Sequence, residues 1–101
     1  MEGHASIATE VLSRYAADAV QEVPGVKGFV ERQLPHRRGV RLENEDGRLR
    51  VELRIAVEWG ASIPEVAGAV QRRVRNYLAQ MADVEPESVD VVVDEVAAPS
   101  R

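Results

Sequence analysis

The chain of 101 residues contains no cysteine. Disulfide staples, thiolate zinc sites and a cysteine nucleophile are therefore excluded. Aromatic residues are scarce at 4%, so the core must be built mainly from Val, Leu, Ile and Ala. His4 and His36 are the only histidines, and neither has a second His or Asp at chelating spacing. An excess of positive charge is also missing: the formal net charge is -4, which disfavours nonspecific nucleic-acid binding. No apolar run approaches the roughly 20 residues that cross a bilayer. Met1-Glu2-Gly3-His4 does not open a basic-then-apolar secretion signal. The expectation is a cytoplasmic protein with no membrane span of its own.

Recognisable catalytic groupings are absent too. No serine sits in a Gly-x-Ser-x-Gly elbow, and no hydroxyl has a base and an orienting acid placed beside it by a motif. The acids are numerous, at 17. Glu43, Glu45 and Asp46 surround a turn signal, while Asp90, Asp94 and Glu95 lie on or beside a strand pattern. Both groups read as solvated charge in a chain too small to offer much of a cleft. The sequence points to no enzyme, no cofactor and no metal.

What is present is strong patterning. Hydrophobic residues make up 45%, enough for one domain spanning residues 1–101, with its core over about 5–96 and frayed ends. From Leu49 to Trp59 every odd position is apolar, and the even positions are Arg50, Glu52, Arg54, Ala56 and Glu58. That alternation predicts a long strand with one dry and one wet face. By register it favours a core position for Trp59 at the end of the sheet, with a partly exposed anchor for a partner as the alternative. Gly60 stops the strand. Ser62 then caps a helix, with Glu65 three residues on and Pro64 in the first turn, where it loses no helical hydrogen bond.

Apolar spacing of three and four residues predicts helices over Ser6 to Glu22 and Ile63 to Met81. Pro24-Gly25 ends the first. A short strand follows near Val26 to Val30, then a cationic loop from Arg32 to Arg41. A second strand begins at Val40, with Asn44-Glu45-Asp46-Gly47 as the hairpin turn into the long strand. Val89, Val91 and Val93 mark the last strand. The expected fold is an α+β two-layer sandwich of order α-β-β-β-α-β. Two helices pack on one face of a three- to four-stranded sheet.

The cations are clustered. Arg37, Arg38 and Arg41 lie in or at the end of the loop, and Arg72, Arg73 and Arg75 on the second helix. In an acidic chain such clusters are either solvated surface or a partner surface. Arg37, Arg38, Arg41, Arg72 and Arg75 are the candidates for the latter. Gly25-Val26-Lys27-Gly28 has the form of the Gly-x-x-Gly loop of KH domains. It supports an alternative reading as a KH-like RNA-binding module, against which the net charge weighs.

The assembled pattern resembles a known family. Its residues are Gly3, Ile7-Ala8, Glu10-Val11-Leu12, Ala16-Ala17 and Glu22-Val23-Pro24-Gly25-Val26-x-Gly28. They continue with Val57-Glu58-Trp59-Gly60, Ile63-Pro64-Glu65-Val66-Ala67, Val70-Gln71-x-x-Val74, Met81 and Val89-Asp90-Val91-x-Val93. This is similar to the alkaline-shock-protein family of bacteria, also called the Gls-type general-stress or cell-envelope stress-response family. Trp59 stands where a tyrosine-like ring is expected, and the Arg-rich segment from Gln33 to Arg41 is outside the pattern. The resemblance implies a small noncatalytic cytoplasmic α+β domain that serves envelope homeostasis as a scaffold or adaptor. It implies self-association and, for some members, attachment to the inner face of the membrane through a separate integral-membrane anchor.

Overall fold

A computed structural model describes residues 9–29 and 39–97. The element order is α1 (Thr9–Gln21), β1 (Val26–Phe29), β2 (Val40–Glu45), β3 (Arg48–Glu58), α2 (Ile63–Ala82) and β4 (Ser88–Ala97). The predicted order and two-layer α+β class hold. Residues 6–8 of the expected first helix, residue 30 of the expected strand and residues 32–38 of the cationic loop lie outside the described residues.

The long alternating strand organises the sheet. β3 pairs antiparallel with β2 from Val40↔Leu53 to Glu45↔Arg48, and antiparallel with β1 from Val26↔Val57 to Phe29↔Ile55. It pairs in parallel with β4 from Arg50↔Ser88 to Glu58↔Ala97. A strand has two edges, so β1 and β2 lie end to end along one edge of β3 while β4 takes the other. The β3–α2–β4 segment is thus a parallel crossover through a helix.

Alternation then decides what each face meets. Leu49, Val51, Leu53, Ile55 and Val57 are buried. They meet Leu12, Ala16, Ala19 and Val20 of α1 and Val66, Val70, Val74 and Leu78 of α2 in one cluster. Tyr15 and Tyr77 join the two helices edge to face, with ring centroids 6.0 Å apart. The opposite sheet face carries Arg41, Glu43, Arg50, Glu52 and Arg54 and has no second layer among the described residues.

Local chemistry fixes the joints. In the hairpin the strands run further than the sequence predicts, and only Asp46 and Gly47 form the turn. Both have left-handed φ, 53° and 78°, the geometry of a two-residue turn that matches strand twist. Ser62 caps α2 as expected, its Oγ accepting from the Glu65 N–H at 3.4 Å. At the other end Asp83 adopts φ 56°, and the Val84 N–H donates to the Leu78 carbonyl at 3.2 Å. This is a left-handed helix stop made by Asp in place of Gly.

Trp59 corrects the sequence reading. β3 ends at Glu58, and Trp59 is 67% exposed. The Ala61 N–H donates to the Glu58 carbonyl at 3.1 Å, so the chain is already turning at Trp59. Alternation sets side-chain direction only while the backbone stays extended.

Candidate functional site

The structure separates the cations that the sequence groups. Arg37 and Arg38 lie outside the described residues. Arg41 sits on the open face of the sheet, 3.2 Å from Glu43 and directly across from Glu52 on β3. On α2 the three arginines diverge because successive residues step by about 100° around a helix. Arg73 reaches the residue that follows α1 and pairs with Glu22. Arg75 donates to the Pro86 carbonyl at 2.9 Å, and Gln71 on the same side donates to the Val89 carbonyl at 2.9 Å. These two bonds fasten α2 to the start of β4. Arg72 lines a shallow open groove with Pro24, Pro64, Glu65 and Gly68. The α2 cluster is therefore two fold-stabilising arginines and one at a groove.

The open sheet face is an ordered lattice of charge. Across β2 and β3, Arg41 faces Glu52, Glu43 faces Arg50 and Glu45 faces Arg48. Each of these three β2–β3 pairs joins opposite signs, the arrangement that stabilises a sheet, whereas on the β4 side Glu52 stands beside Asp90. On the far side Arg54 donates to Asp94 at 2.9 Å. Its pKa is raised by that hydrogen bond, by the charge of Asp94 and by Glu52. Glu87 lies 3.7 Å from Arg50 and 4.0 Å from Arg48. Asp94 is the extra residue where the β3–β4 register shifts. Of the acids that the sequence left as solvated charge, Glu43 and Asp94 pair with arginines and Glu45 faces Arg48.

Apolar surface collects at the other end of the molecule. Trp59 and Ile63, the latter 41% exposed, flank the β3–α2 turn. Gly25 lies beneath it, its backbone carbonyl accepting from the Glu58 N–H at 2.9 Å. The Gly25-to-Gly28 segment runs from the end of α1 into β1, so it is a helix-to-strand turn, whereas a KH clamp lies between helices. Among the described residues no three His, Asp or Glu side chains gather as metal ligands, and no helix is long and apolar enough to cross a membrane.

Two helices on one face of a mixed sheet, with a charged open face, define a two-layer α+β domain. Its sequence matches the alkaline shock protein 23 family, described by a cell envelope-related function, over residues 1–98, and the chain belongs to that family. It is 31% identical to YqhY of Bacillus subtilis over 99 residues, covering 88% of this chain and 73% of that one. It is 26% identical to YloU of the same organism over 106 residues, covering 93% and 88%. Both relatives carry the description of uncharacterised proteins. Among solved structures, a variant of MamM-CTD matches with a TM-score of 0.59 over 87% of this chain and 98% of that one. At 17% identity this likeness concerns the fold alone.

Proposed function

We propose that this protein is a noncatalytic adaptor of the cell envelope. It works in the cytoplasm by binding copies of itself and a membrane-anchored partner. The observation that carries the reading is the family match across residues 1–98, with its envelope-related function. The charged sheet face and the β2 edge, neither covered by another element among the described residues, and the exposed Trp59 and Ile63 supply surface for such contacts. Exposed strand edges and aromatic anchors are recurrent means of protein recognition.

In-cell cross-linking and capture of the tagged chain, reading proteins and nucleic acids together, tests this. An integral-membrane protein as the main product supports the adaptor. RNA as the main product overturns it in favour of the KH-like reading. Replacing Arg37 and Arg38 together by Glu abolishes recovery of the partner, with the circular dichroism spectrum unchanged, if the cationic loop is its contact. Unchanged recovery removes the loop from the account.

A further inference from the structure

Backbone geometry shows which groups of β2 face away from β3. Glu45 and Arg48 flank the two-residue turn and are therefore a hydrogen-bonded pair. Alternation makes Glu43 and Arg41 bonded to β3 as well. The Arg54 N–H donates to the Gly39 carbonyl at 2.8 Å, which confirms the same parity at the far end. The N–H and C=O groups of Val40, Leu42 and Asn44 consequently point to the outer edge. Among the described residues only β3 pairs with β2.

We propose that this edge is a self-pairing site: a second copy of the chain adds its own β2 antiparallel, with the two-fold axis at Leu42. The proposal rests on the self-association reading above and names its surface. In this register Leu42 faces Leu42 of the second copy, and Val40 faces its Asn44. These are the residues whose backbone groups point outward, so each facing pair forms ladder hydrogen bonds. Arg41 then faces Glu43 of the second copy, and Glu43 faces its Arg41. Both occupy non-hydrogen-bonded positions, where opposed side chains come closest.

The charge pattern of the sheet continues across the axis without a break. One row reads Glu52, Arg41, then Glu43 and Arg50 of the second copy, alternating in sign at every step. On the other face half-buried Leu42, beside Val51, meets its own counterpart and loses water. The β4 edge lacks this match. It carries Asp90, Asp94 and Glu95 and no cation, and pairing with itself about Val92 would set Asp90 against Asp94. Its register shift at Asp94 interrupts the ladder as well. The two edges of the sheet are therefore unequal: β2 offers its copy opposite charges, and β4, whose Asp94 is already paired with Arg54, does not.

The test is sedimentation equilibrium on the full chain and two variants, Arg41→Glu and Glu43→Arg. Each variant places two like-charged pairs across the axis, and each raises the dimer dissociation constant by about tenfold or more. An equimolar mixture of the two restores both opposite-charge pairs, so it dimerises more tightly than either variant alone. Recovery in the mixture separates a surface effect from misfolding. Because the chain has no cysteine, Leu42→Cys adds a single thiol. Hydrogen-bonded antiparallel partners lie about 5.5 Å apart at Cα, within disulfide reach, so this variant forms a covalent dimer on mild oxidation. A wild-type dimer that persists in both charge variants overturns the β2 edge and leaves self-association standing. A wild-type monomer overturns both.

Discussion

Gly25 lies so close to Val66 that a Cβ at position 25 would stand 2.7 Å from the Val66 Cγ2. The same residue has φ +94°, a conformation L side chains rarely adopt. Two independent constraints thus require glycine where α1 hands the chain to β1, against the first turns of α2. Gly25→Ala is expected to cost about 2 kcal/mol or more, from backbone strain and overpacking together. Urea unfolding followed by circular dichroism checks this.

The buried stripe of β3 should be equally sensitive. Leu53 is fully buried at the centre of the cluster. Leu53→Ala removes packed methyl groups and leaves a void, which costs about 2 to 5 kcal/mol. Met81→Ala, at a residue 49% exposed, is expected to shift the midpoint far less.

Helix capping offers a smaller and cleaner test. Ser62→Ala removes the acceptor for the Glu65 N–H and is expected to cost about 1 kcal/mol. Ser62→Asp keeps an acceptor at the positive end of the helix and should retain most of the stability.

Trp59 is the only tryptophan, so its fluorescence reports one place. At 67% exposure it should emit as a water-exposed indole and be readily quenched by acrylamide. Trp59→Ala should change unfolding stability by no more than about 0.5 kcal/mol. A partner that docks on this end would shift the emission to shorter wavelength and protect the ring.

Much of this fold was legible in the sequence, because its signals are local and agree with one another. The alternation of Leu49 to Val57 sets the strand and its dry face, and the Ser62-Ile63-Pro64-Glu65 signature starts α2 where it is seen. The lateral arrangement was not legible. Nothing in the local sequence says that β1 and β2 share one edge of β3, because strand order follows from long-range packing. Trp59 was misplaced because the alternation continues one residue past the end of the extended backbone. The arginines of α2 looked like one cluster in sequence. Their divergence to Glu22 and Pro86 depends on which elements flank the helix. The charge register of β2, on which the strand-pairing proposal rests, was not legible either. It becomes visible only once Arg41↔Glu52 and Glu43↔Arg50 are known to be neighbours.

Sedimentation of the wild-type chain over a wide range of concentration and salt tests the central claim most directly. An adaptor that assembles through charge-matched strand edges should pass from monomer to dimer as concentration rises, and salt should weaken the dimer. A single monomeric species at every concentration, unaffected by salt, would contradict the account.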